Sequence, residues 1–154
     1  MKRAPFQVLV FPFHIEEDTK ILYAIFKRTE GYWQGIAGGG EERETPLKAA
    51  KREAFEEAGI SLNRKYMQIN SITMIPAVDI FGFLKWGKDV LFIPEYSFGV
   101  KVHEPALKLS QEHTSCKWVA YEQAHKLLRW ESNKTALREL HQRLTDKKSR
   151  KSPL

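Results

Sequence analysis

The sequence predicts an α/β fold in which a mixed sheet lies between helices. Three observations predict it. Runs of β-branched and aromatic residues recur along the chain, separated by turn signals. A well-capped helical segment interrupts them early, and two more helical segments close the chain. At 154 residues the chain has room for one domain with one sizeable core.

The strand-like runs are Phe6–Phe13, Ile21–Arg28, Tyr66–Ile75, Val90–Ile93 and Tyr96–Val102, with shorter ones at Trp33–Ala37 and Cys116–Val119. Pro94 and Pro105 are expected at strand edges or breaks, because proline cannot donate to a ladder. Gly82, Gly87 and the residues around Lys85–Lys88 read as a turn or loop. The first helix is expected over Pro46–Ala58, with Thr45 as N-cap, Pro46 in the first turn and Gly59 as C-terminal cap. A second covers about Tyr121–Arg129. A third starts after Ser132 or Asn133 and runs to about Leu144, with Ala136, Leu137, Leu140 and Leu144 on one side.

Composition excludes several classes. With 42% apolar and 29% charged residues, the chain resembles an ordinary globular protein. Its longest apolar stretches are about half of the roughly twenty residues that cross a bilayer, so no membrane partner is expected. Met1-Lys2-Arg3 and the following apolar run imitate a signal peptide, but Pro12, His14 and the missing cleavage site argue against one. The lone Cys116 allows no internal disulfide and fits a reducing, cytoplasmic setting. Net charge is +6, and removing the four bases of the last eight residues leaves +2. The expected organisation is a single domain over 1–146 and a basic, disordered tail over 147–154. No nucleic-acid partner follows from such a tail.

The informative stretch is GGGEERETPLKAAKREAFEEAGI, residues 38–60. On a helical wheel, Leu47, Ala50, Ala54 and Ala58 fall within about 80° and define a core stripe, with Phe55 at its margin. Glu53, Glu56 and Glu57 fall within a second arc of about 100°. Each pair of such charges costs on the order of 1 kcal/mol in water, and about 4 when partly buried. An acidic face turned to solvent, balanced by Lys48, Lys51 and Arg52, is one explanation. The other is a carboxylate cage for hard cations such as Mg²⁺ or Mn²⁺. Gly38-Gly39-Gly40 favours the cage, because glycines admit positive φ and close approach by phosphate or metal. Glu41, Glu42 and Glu44 add carboxylates beside the helix N-terminus.

The pattern Gly38-x5-Glu44-x7-Arg52-Glu53-Ala54-x-Glu56-Glu57-x-Gly59-Ile60 resembles the signature of the Nudix hydrolases. A chance match in a chain this long is on the order of one in a million. Trp33-Gln34, Glu112-His113 with Lys117-Trp118-Val119, and Trp130-x-Ser132-Asn133 resemble the branch that hydrolyses dihydroneopterin triphosphate and dATP. Arg43 departs from the family pattern, standing where a glycine usually precedes the box glutamate.

The resemblance implies a Nudix-type α/β/α sandwich with a mixed sheet, and an enzyme that needs Mg²⁺ or Mn²⁺. Glu53, Glu56, Glu57 and the backbone carbonyl of Ala37 would be the metal ligands. Arg52 would position Glu53 and Glu44 by charge-assisted hydrogen bonds. Water would attack one phosphorus of a diphosphate linkage, releasing a monophosphate and pyrophosphate from a triphosphate. Two residues are candidates for the base, Glu53 and Glu112. Arg28, with Lys27, would meet phosphates, Gly38 and Gly39 would line the site, and Trp33 would stack on a purine or pterin ring. Phe81, Phe83 and Trp86 form either an apolar loop over the pocket or part of the core. Glu95 reads as a strand-edge charge in preference to a further metal ligand. The histidines show no zinc spacing.

The expected partner is a nucleotide or pterin polyphosphate, bound by a monomer or homodimer. Two alternatives stay open: hydrolysis of a nucleoside diphosphate linked to another group such as ADP-ribose, and a non-catalytic nucleotide- or RNA-binding module.

Overall fold

The computed structural model describes residues 2–105, 107 and 113–146. In chain order the elements are β1 (Arg3–Ile15), β2 (Ile21–Arg28), β3 (Trp33–Gln34), β4 (Ile36–Glu41), α1 (Pro46–Ala58) and β5 (Tyr66–Pro76). There follow α2 (Val78–Phe81), β6 (Phe92–Lys101), β7 (His113–Val119), α3 (Tyr121–Leu127) and α4 (Glu131–Thr145). The seven strands form one mixed sheet in the order β3-β2-β1-β6-β5, with β4 paired to β1 and β7 to β2. β1 and β6 run parallel, and the other pairs are antiparallel.

β1 is the axis of the sheet. One edge is shared by β4, over Arg3–Val10, and β2, over Phe13–Ile15, while the other edge pairs with β6. Its run Val8–Phe11 is completely buried, as a strand covered on both faces must be. Alternate side chains go to opposite cores. Val8 and Val10 pack with Phe98, Val100, Ala50, Ala54 and Ala58 under α1. Leu9 and Phe11 pack with Tyr23, Ala136, Leu137 and Leu140 under α3 and α4. Each helix comes close because one side of its contact is small: alanines on α1, and Gly99 beneath Leu140, where a Cβ would lie 2.5 Å from a leucine methyl carbon.

α1 takes the predicted limits. The Thr45 side chain accepts the Lys48 N–H, and Gly59 closes the helix at φ 68°. Other expectations need correction. Val90–Ile93 and Tyr96–Val102 are not two strands: one strand, β6, runs from Phe92 to Lys101, leaves out Val90, Leu91 and Val102, and has Pro94 inside it. β1 begins to pair with β6 only at Glu95, so Pro94 has a ladder on its β5 side alone, where a missing donor is tolerated. Gly35 divides Trp33–Ala37 between β3 and β4. α4 starts at Glu131 with no side-chain cap, because Ser132 and Asn133 lie within its first turn. Leu47 leaves the predicted core stripe and is 40% exposed, while Ala49, outside that stripe, is fully buried.

Candidate active site

The glycine triplet lies in β4 instead of a flexible loop, and none of its residues has positive φ. Close approach explains it. A Cβ on Gly38 would lie 2.1 Å from the Glu53 carboxyl carbon, one on Gly39 would strike the Arg3 guanidinium, and one on Gly40 the Phe6 ring. Positive φ falls on Arg43, at 70°. That is the position where the signature departs from glycine, and the non-glycine residue accepts a backbone conformation that usually costs about 1 kcal/mol.

Arg52 organises the box. Its Nε and Nη2 donate to the two Glu44 carboxylate oxygens at 2.8 and 3.0 Å, and Nη2 also donates to the Gly39 carbonyl at 2.8 Å. Nη1 donates to Glu53 at 3.0 Å and to Glu56 at 3.3 Å. Glu44 in turn accepts the Glu41 N–H at 2.7 Å. The planar guanidinium suits this forked arrangement, which a lysine could not reproduce. The hydrogen bonds from Arg52 hold the Glu44 pKa below the carboxylate range. They raise that of Arg52, which therefore stays charged.

Burial divides the three helix acids. Glu56 is the exposed one, with 55% of its side chain accessible, while only 12% of the Glu53 side chain is. Glu57 is buried, at 4%. Burial raises the Glu53 pKa despite the opposing field of Arg52. An acidic face turned idly to solvent would not bury two of its three carboxylates, because desolvating a charge is costly. Among the described residues no three acid, histidine or cysteine side chains stand in ligand geometry, since Glu53 and Glu56 both turn towards Arg52. The donor set nevertheless suits a hard divalent cation. Glu41, Glu44, Glu53 and Glu56 gather around Arg52, Glu57 joins them through Glu53, and all offer only oxygen.

Glu95 corrects another expectation. It is not a strand-edge charge: β6 lies between β1 and β5, and Glu95 is 5% exposed with Oε1 lacking a partner. Burial pushes its pKa up to about 7, against a hydrogen bond with Ser132 that acts to lower it. Its register partner is Gln7. By alternation it faces α4, as the Ser132 bond requires.

Arg28 ends β2, where its Nε pairs with Glu30 at 3.3 Å. Trp33 packs against the core under α3 and α4, with the Lys117 ammonium 5.2 Å from its ring centroid. Ala37 lies opposite Leu9 in the β4–β1 ladder. Glu112 and the tail over 147–154 lie outside the described residues. Cys116 is partly buried, which pushes its thiol up to about 11.

One residue that no motif marks is drawn in. Arg3 carries no motif, yet its guanidinium donates to the Phe6 carbonyl at 3.0 Å and to Gln7 at 2.6 Å, and it lies over the Phe81 and Trp86 rings. Trp86 donates to the Arg3 carbonyl at 3.0 Å, tying the loop after α2 to β1. Asn133, named above as a possible cap and within Trp130-x-Ser132-Asn133, has a further use. Its buried side chain accepts the Gly35 N–H at 2.8 Å and fixes the chain just ahead of β4.

Comparison with known proteins agrees with this geometry. The NUDIX domain model matches residues 7–140. A Listeria monocytogenes protein described as a NUDIX hydrolase is 38% identical, with a TM-score of 0.83 over 93% of this chain and 96% of that one. The Escherichia coli dihydroneopterin triphosphate pyrophosphohydrolase is 26% identical, with a TM-score of 0.70 over 89% and 94%. An asymmetrical bis(5'-nucleosyl)-tetraphosphatase of Sus scrofa is 28% identical over 82% of each chain. With a glycine strand, an arginine-held set of glutamates and a domain match across most of its length, the chain belongs to the NUDIX family of hydrolases that act on phosphorus-containing acid anhydrides.

Proposed function

We propose that the protein is a divalent-metal-dependent pyrophosphohydrolase of a nucleoside-triphosphate-like substrate, of the dATP or dihydroneopterin triphosphate type, yielding the monophosphate and pyrophosphate. The observation that carries this reading is the Arg52 fork, which holds Glu44, Glu53, Glu56 and the Gly39 carbonyl together. Similarity to the E. coli dihydroneopterin triphosphate enzyme supports the substrate class.

Glu53, Glu56, Glu57 and the Ala37 carbonyl would hold Mg²⁺, or Mn²⁺ in its place. The bound cation supplies charge neutralisation for the polyphosphate and lowers the pKa of water. The protein's own groups do the rest. Arg52 keeps Glu44 and Glu53 oriented. Gly38 leaves space for the Glu53 carboxyl group, whose raised pKa suits it to accept a proton. Glu112 is the favoured base from the family resemblance, and Glu53 is the alternative. Arg28 and Trp33 are proposed to meet the phosphates and the ring.

Two measurements test the reading. Glu57→Gln should lower turnover at least about a hundredfold with an unchanged circular dichroism spectrum, as expected when metal-assisted catalysis is lost; unaltered turnover would overturn it. A panel of nucleotide and pterin polyphosphates with Mg²⁺ and Mn²⁺ should yield pyrophosphate as the product. A second reading, hydrolysis of a dinucleoside polyphosphate, is favoured by the Sus scrofa relative. Under it, the same panel would show cleavage of dinucleoside tetraphosphates in preference to triphosphates.

A further inference from the structure

Among the described residues β5 is the last strand of the sheet, paired only with β6. Its eleven residues contain no Asp, Glu, Lys or Arg, in a chain that is 29% charged. Natural edge strands are ordinarily blunted by charge, by proline or by cover, because their unpaired backbone is a template for another strand. Here the bulge is covered, since Glu139 accepts the N–H groups of Asn70 and Ser71. From Ile72 to Ile75, no second strand flanks β5 among the described residues.

Apolar ground surrounds that stretch. Ile72 and Met74 are 52% and 54% exposed, on the same sheet face as their register partners Tyr96 and Pro94. Phe92, opposite Pro76, extends this face and is 54% exposed. Val78 and Leu91 adjoin it, held at the base of the β5–β6 connection by the bond from the Ala77 N–H to the Leu91 carbonyl. α1 covers this side of the sheet only further along, over Val8, Val10, Phe98 and Val100.

We propose that a second copy of this chain docks here, β5 against β5 about a two-fold axis, with Ile72, Met74 and Phe92 at its centre. The same strand paired antiparallel with itself is self-complementary, as a two-fold interface requires. The five half-exposed side chains present on the order of 500 Å² per copy, so two copies would bury roughly 1,000 Å², the lower bound for a specific interface. Flanking Tyr96, Pro94 and the strand backbone add to this. None of these groups is charged, which matches the core of a homodimer interface and offers nothing to a phosphate or an acidic ligand.

Light scattering on the full chain at about 50 µM should give twice 17.9 kDa, and the mass should persist at high salt. Ile72→Lys and Met74→Lys, at exposed positions, should each give a folded monomer. Ile72→Cys, in a Cys116→Ser background that removes the native thiol, should cross-link as a dimer under mild oxidation. A monomeric wild type at that concentration overturns the proposal. So does a dimer that survives both lysine substitutions.

Discussion

At Gly38 the protein admits no side chain, because the Glu53 carboxyl group fills the space where a Cβ would stand. Gly38→Ala must therefore displace either a buried carboxylate or the β4 backbone. Overpacking of this kind costs typically about 1–3 kcal/mol, and the displaced group is one that Arg52 holds. We expect a lower melting temperature together with a larger loss in kcat than in affinity for substrate. A variant with wild-type stability and turnover would show that the close approach is not needed. The residue types here were legible from spacing, since Gly38, Arg52 and the three glutamates of α1 all stood in the signature. Their unequal burial was not. Glu57 is enclosed and Glu56 is open to water, although the two occupy adjacent positions in the sequence.

Among the elements, α1 was predictable to the residue because its start and stop signals are local: a threonine cap, a proline in the first turn and a left-handed glycine. α4 was misread at its start because the side chains of Ser132 and Asn133 are used elsewhere, one with Glu95 and one with the Gly35 N–H. The same helix is locked to the sheet by Glu139. Its carboxylate accepts from Asn70 and Ser71 at the β5 bulge and from Arg143 one turn along. Burial disfavours that charge, but these hydrogen bonds outweigh it and lower the Glu139 pKa. Glu139→Ala leaves two backbone donors without a partner, so we expect a loss of about 1–3 kcal/mol in denaturant unfolding. The loss should shrink as pH falls through the folded-state pKa, where the wild-type carboxylate protonates too. A loss that stays constant through acid pH would overturn this account.

Stability of the whole molecule carries the signature of Glu95. Its pKa lies at about 7, against an ordinary value of 4.5, because burial disfavours its charge. The folded state thus holds the proton more tightly than the unfolded state. The resulting stabilisation is complete below about pH 4.5 and is lost as pH rises through about 7. In metal-free protein, the shift sets an upper bound on the order of 3 kcal/mol between those limits. Glu44 and Glu139 act in the opposite sense, so the useful quantity is the difference from Glu95→Gln, which leaves them intact. Between pH 5 and 8 the wild type should lose more stability than this variant. Parallel unfolding curves across that range would refute the assignment.

The sequence by itself determined the fold class, α1 with its caps and the identity of the box residues, because each rests on short-range periodicity, capping or fixed spacing. Tertiary structure alone decided which strands join, how Pro94 is accommodated and why the glycines are needed. It also decided that Arg3, Asn133 and Glu95 are drawn into or beside the site. Those outcomes depend on contacts between residues far apart in the chain, such as Gly35 with Asn133 and Glu95 with Gln7. Burial and the chemistry it sets arise only when the two faces of the sheet are closed by helices.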